Sequence, residues 1–148
     1  MSENCKLPYG KLFNSLAKSY FGNVAKKLAV LDIDRCFYPL HLIIEANGKL
    51  TQNELSELIG ADKASTTRHV DYLVKMNYVK REPNPQDRRE FILKTTPKAD
   101  EVATIVCKAF DEMNDAINKT LTTHSPDEFC TLLKGLNNKL KPHRTTDL

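Results

Sequence analysis

Between Leu50 and Thr96 the chain fits two short helical segments and a proline-flanked hairpin end to end, leaving no room for a linker, and this stretch limits the fold more than any other. Thr51 followed by Glu54 is the pattern of a capping box, in which the hydroxyl accepts the Glu54 amide and the carboxylate reaches back to the Thr51 amide. A helix is expected to start there, with Leu55, Leu58 and Ile59 as its apolar stripe. Gly60 ends it, because glycine takes positive φ at little cost. Asp62 is placed to cap the next helix. A glycine-containing turn between two short helices is the signature of a helix-turn-helix, whose second helix characteristically enters the major groove of DNA.

At 100° per residue, Thr66, Val70, Leu73, Val74 and Asn77 gather on one side of that second helix, and Ala64, Ser65, Arg68, Tyr72 and Lys75 lie opposite. The outer set suits a nucleic acid. Small residues let the helix approach closely, hydroxyls reach base edges or phosphates, and Arg68 can fork onto a guanine or a phosphate. Downstream, Tyr78 to Glu82 and Glu90 to Thr95 are rich in β-formers, while Pro83 to Arg89 continues neither strand nor helix. A hairpin with a basic tip follows. Asp87, two residues before Arg89, is placed to brace its guanidinium outward toward a narrow, negative minor groove.

Leu50 to Lys98 resembles the DNA-binding core of the multiple antibiotic resistance regulator (MarR) family. The matching pieces are Leu50-Thr51-Gln52-Asn53-Glu54-Leu55, Asp62-Lys63-Ala64-Ser65-Thr66-Thr67-Arg68, Val70-Asp71, Asp87-Arg88-Arg89 and Thr95-Thr96-Pro97-Lys98. Their order and spacing carry the resemblance. It implies a homodimer on double-stranded DNA at a pseudo-palindromic operator, with the second helix in the major groove and Arg89 at the wing tip in the minor groove. The residues expected to touch DNA are Thr51, Lys63, Ala64, Ser65, Thr67, Arg68, Lys75, Arg88 and Arg89. Similar proteins bind small aromatic or phenolic effectors between the reading head and the dimer region, where Arg35, Tyr38, His41 and His69 are the polar candidates here. His69 and Tyr72 depart from the family pattern, which usually has an aliphatic and a basic residue at these places.

The fold class expected is mainly α with a small β-hairpin: a winged helix-turn-helix DNA-binding domain with N- and C-terminal helices forming a dimerisation domain. Residues 1–148 are read as a single domain, with 34–96 as the winged-helix lobe and 1–33 and 97–148 as dimerisation helices. Met1 to Pro8 reads as an irregular arm. Leu12, Phe13, Leu16, Tyr20, Phe21, Val24 and Leu28 mark a long first helix whose apolar face needs a partner. Asp34 is placed to cap a helix from Arg35 to Ala46 that ends at Asn47-Gly48, with Cys36, Leu40, Ile43 and Ile44 on one face and Pro39 in its first turns. Lys49-Leu50 is expected to form a short strand. Thr96-Pro97 opens a long helix with Val102, Ile105, Val106, Phe110, Met113, Ile117 and Leu121 on its stripe. Ser125 with Glu128 is a second capping box, and the final helix runs until Pro142 stops it.

Charge is informative in its distribution. Residues 49–98 carry ten basic and seven acidic side chains and residues 99–148 six and eight, so basic excess falls on the reading head. No signal pattern or apolar stretch long enough to span a bilayer is present, which predicts a cytoplasmic protein with no membrane partner. His41 and Glu45 have the i, i+4 spacing of two metal ligands, but no third ligand can be named, so neither metal nor other cofactor is expected. No phosphate-cradling glycine loop, nucleophile motif or acid pair suggests an enzyme, and no catalytic residue is assigned. The function expected is therefore sequence-specific transcription regulation, with repression released by an effector. The alternatives are a winged helix used for protein contacts and a thiol-based redox sensor. For the latter, Cys5 is the most exposed candidate, and Cys36, Cys107 and Cys130 have no paired spacing.

Overall fold

The computed structural model describes residues 7–141. The elements follow as α1 (Tyr9–Lys27), α2 (Phe37–Glu45), β1 (Leu50–Thr51), α3 (Gln52–Ile59), α4 (Lys63–Lys75), β2 (Val79–Pro83), β3 (Phe91–Thr95), α5 (Pro97–Thr120) and α6 (Pro126–Leu140). They divide into two compact units, one through Met113 and one from Asn114, so that α5 contributes to both. Cys5 and Pro142 lie outside the described residues.

In the first unit, Val24 and Leu28 at the end of α1, Leu40 and Ile43 of α2, Leu55, Val70, Leu73, Leu93, and Val106 with Phe110 of α5 are buried together. Each fully buried aliphatic side chain of this size stabilises by about 1.5–3 kcal/mol, against ~1 kcal/mol for a helix cap. The core therefore holds the unit and the caps set where its helices begin. Thr51 Oγ1 accepts from the Glu54 amide at 3.2 Å and Glu54 Oε2 accepts from the Thr51 amide at 2.8 Å, which fixes the start of α3. Gly60 ends that helix with φ 65°. Asp62 Oδ1 accepts from the Ser65 amide at 2.6 Å and opens α4.

The three strands form one antiparallel sheet in the order β1-β3-β2. Leu50 and Arg81 both face Leu93 in register, so β3 is the central strand of the wing. Pro83, assigned by sequence to the hairpin tip, instead pairs with Phe91 at the end of β2. It is tolerated because β2 is an edge strand, where a missing amide leaves no neighbour unsatisfied.

Several boundaries differ from those read in the sequence. Asp34 does not cap α2. That helix starts at Phe37, after Cys36, whose backbone is left-handed at φ 64°, while the Asp34 carboxylate accepts instead from the Tyr72 hydroxyl at 2.9 Å. Leu58, on the expected apolar stripe of α3, is exposed, and Val74, on the expected inner face of α4, is 38% exposed. Asn77 lies beyond α4 in a left-handed turn with φ 62°. A helical wheel assigns each residue a direction but cannot say how wide the neighbouring core is. Here Thr66, Val70 and Leu73 are the residues of α4 that are fully buried, while Ser65, Thr67, His69 and Tyr72 are partly covered.

In the second unit, α6 begins with the expected box, Ser125 Oγ accepting from the Glu128 amide at 3.2 Å and Glu128 Oε2 from the Ser125 amide at 2.8 Å. Its Leu132, Leu133, Leu136 and Leu140 are all exposed. Among the described residues, no helix is long and apolar enough to cross a membrane.

Candidate nucleic-acid interface

Arg68 and Arg89 are held by neighbours close in sequence. On α4, the Arg68 guanidinium donates from one Nη to Ser65 Oγ at 2.8 Å, one turn earlier. At the hairpin tip, Asp87 Oδ1 accepts from both the amide and Nε of Arg89, at 3.0 and 3.2 Å. These bonds hold the Asp87 carboxyl below its usual range, the Arg89 amide contributing most. The Arg89 side chain nevertheless remains 91% exposed. Lys63 and Ala64 in the first turn of α4, Lys75 in its last, and Arg88 are exposed as well.

Other named residues have internal duties. Thr51 caps α3 through its hydroxyl. The Thr67 hydroxyl donates to the Lys63 carbonyl at 2.9 Å and accepts from Gln52 Nε2 at 3.1 Å, which leaves it limited capacity for an outside partner. Tyr72, set by the wheel among the outward residues, is half-buried against the loop before α2. Its hydroxyl bonds both the amide and carboxylate of Asp34, and the Arg35 guanidinium stacks 4.3 Å above its ring. The wheel places a Cα, whereas a tyrosine ring reaches well beyond it.

A polar knot fixes the hairpin to the two helices, and no local sequence pattern marks its centre, Arg81. Arg81 Nε donates to Gln52 Oε1 at 2.9 Å, and an Nη lies 2.7 Å from Asp71 Oδ1 and 3.5 Å from the Thr67 carbonyl. One guanidinium thus joins β2 to both α3 and α4. A second tie runs from Asn53 Nδ2 to Glu90 Oε1 at 2.5 Å, with Asn84 Nδ2 on the other oxygen at 3.4 Å. Within the wing, the Asn84 amide donates to the Glu90 carbonyl and the Glu90 amide to the Asp87 carbonyl, both at 3.0 Å.

Beside the reading head is a crevice of about 390 Å³, bordered by Phe21, Val24, Cys36, Phe37, Tyr38 and His69 among others. Arg35, Tyr38 and His69 line it, as the sequence suggests, but His41 does not. His41 is buried, stacked on Phe110 with centroids 4.0 Å apart, and its Nδ1 has no hydrogen-bond partner. Burial lowers its pKa, against smaller opposing effects of Glu45 and Asp111. The spacing of His41 and Glu45 puts Nε2 3.5 Å from Oε1. Among the described residues, no group of three or more His, Cys, Asp or Glu is arranged to hold a metal ion.

A capped helix pair, a three-stranded wing and outward arginines on both define a winged helix-turn-helix protein. Comparison with known proteins narrows the class. Residues 35–90 match the model of the MarR family. The chain is 32% identical over 101 residues to the HTH-type transcriptional regulator BilQ of Clostridioides difficile, a match covering 68% of this chain and 65% of that protein, just under two thirds of its length. It is 27% identical over 127 residues to the multiple antibiotic resistance protein MarR of Salmonella typhimurium, covering 85% of this chain and 86% of that one. A crystal structure of mutant E. coli MarR complexed with operator DNA superposes with a TM-score of 0.70 at 25% identity, covering 95% of this chain and 99% of that one. The chain belongs to the MarR family, whose members are transcription regulators and not enzymes.

Proposed function

We propose that the chain acts in the cytoplasm as a homodimer on double-stranded DNA, represses transcription by occupying a pseudo-palindromic operator, and is released by a small aromatic or phenolic effector. The observation that carries the DNA part is the pair of exposed, locally braced arginines, Arg68 on α4 and Arg89 at the wing tip. Each guanidinium has donors left over for a phosphate or a base edge. Lys63, Ala64, Ser65 and Arg68 approach the major groove, Thr51, Thr67 and Lys75 lie at its margins, and Arg88 and Arg89 follow the minor groove. A relative's structure in complex with operator DNA supports this docking.

Dimerisation is supported by Leu12, Phe13 and Leu16, which are each at least half exposed on α1 of the isolated chain. A continuous apolar face of this kind favours a partner surface. Effector binding is supported by the crevice bordered by Arg35, Tyr38 and His69. Its occupant shifts the population toward dimers whose reading helices no longer match half-sites about one helical turn apart. A competition assay tests the central claim: duplex from the promoter beside the chain's own gene binds more tightly than random duplex of equal length. Equal binding to both overturns it.

A further inference from the structure

The wall of the crevice brings together two side chains 33 positions apart in sequence. Cys36 Sγ lies 3.2 Å from His69 Nδ1, and both residues border the same opening. In the tautomer protonated on Nε2, Nδ1 accepts the thiol proton. Phe21, Val24, Phe37 and Tyr38 supply apolar lining, and Arg35 adds a cation. A space of about 390 Å³ falls within the range of small-molecule sites, roughly 300–1,000 Å³, and has room for one or two small rings.

We propose that Cys36 is a covalent modification site for small, flat, soft electrophiles of the α,β-unsaturated carbonyl class, which the crevice gathers and whose addition His69 assists as a base. The thiol proton passes to His69 Nδ1 while a sulfur lone pair forms a bond to the β-carbon of the electrophile. The carbon–carbon π pair shifts toward the carbonyl oxygen. The proton held by the imidazole then moves to the α-carbon, leaving a saturated thioether and neutral His69. No oxidant or reductant is consumed.

The neighbouring base is what makes this thiol different from an ordinary half-buried one. Burial pushes the Cys36 pKa up, with Arg35 opposing and Asp34 reinforcing the shift, so the sulfur is held as a thiol and needs its proton removed as it reacts. Cys107 is also pushed up by burial, but the charges acting on it are those of Glu45 and Asp111, which raise it further. Cys130 is exposed on α6 and offers an internal standard for an accessible thiol.

The experiment is a pulse of N-phenylmaleimide on the reduced full-length chain, with the rate at each cysteine read by peptide mass spectrometry. Cys36 is expected to react about tenfold faster than Cys130, and saturating N-phenylsuccinimide, which has the same shape without the reactive bond, slows Cys36 alone. His69→Asn and His69→Phe each lower the Cys36 rate by about tenfold or more and leave Cys130 unchanged, the scale of assistance a positioned base supplies. Circular dichroism establishes that each variant is folded, and if neither folds, the succinimide protection in the parent chain decides. Equal rates at Cys36 and Cys130, no protection by the succinimide, or a Cys36 rate indifferent to His69 in a folded variant overturns the proposal. None of these readouts depends on DNA binding.

Discussion

Arg89 is fastened to Asp87 and still almost wholly exposed, a combination that fixes its direction without using up its charge. Under the DNA-binding proposal, Arg89→Ala weakens binding to all sequences and reduces the slope of log affinity against log salt by about one contact. A salt titration of duplex binding by fluorescence anisotropy measures both. His41 makes a prediction of opposite character, one of stability. Its folded pKa is lowered from 6.5 by burial, so the unfolded chain takes up a proton first as the solution is acidified. The contribution is complete above about pH 6.5 and falls away as pH drops from there toward the depressed value. Urea midpoints taken between pH 7 and 5 should therefore fall less for His41→Leu than for the parent chain. Both environments differ in how far sequence reveals them. The Asp87–Arg89 brace spans two positions and is readable as a turn pattern, as are the caps at Thr51, Asp62 and Ser125, because their partners lie within three residues. The stacking of His41 on Phe110 joins residues 69 apart, and nothing local encodes it.

Elements, in turn, were easier to foresee than the way they are joined. The helix-turn-helix and the wing strands follow from caps, glycine and β-branched runs, and their observed bounds lie within a residue or two of those patterns. The role of Arg81 has no local sequence signal because it depends on β2 passing close to α3 and α4, and its partners Gln52, Thr67 and Asp71 come from both helices. The Cys36–His69 contact is hidden for the same reason, as α2 and α4 must pack before the two side chains meet. The start of α2 differs from the sequence expectation because Asp34 has the side chain of a cap, yet Tyr72 takes its carboxylate and the helix begins at Phe37. Replacing Arg81 by methionine keeps most of the aliphatic stem but strands Gln52 and Asp71. Its side chain is 22% exposed, so the loss is expected at about 1–2 kcal/mol in chemical denaturation. Because the change loosens the wing's attachment, duplex binding should also weaken. Its salt slope should stay that of the parent, unlike the slope for Arg89→Ala, since Arg81 is engaged internally.

For the molecule as a whole, α1 bears the largest unspent apolar surface of the first unit, with Leu12 and Leu16 each 56% exposed and Phe13 50%. A charge in the middle of that surface should oppose self-association. Under the homodimer proposal, Phe13→Asp is expected to sediment as a monomer at concentrations where the parent chain sediments as a dimer, and to lose preference for a two-half-site duplex over a single half-site. The sequence revealed that this helix is amphipathic, but not that its exposed stripe stops where Val24 and Leu28 enter the core. After that point the chain from Ala29 to Cys36 carries two carboxylates with distinct moorings. Asp32 accepts from the Tyr78 hydroxyl and from Lys98 Nζ, each at 2.5 Å, and Asp34 is bonded to Tyr72. Two such anchors on so short a span deny α1 an independent swivel. A tilt imposed on that helix is delivered as torque to the last turns of α4 and to the root of the wing, and is not absorbed by slack in between.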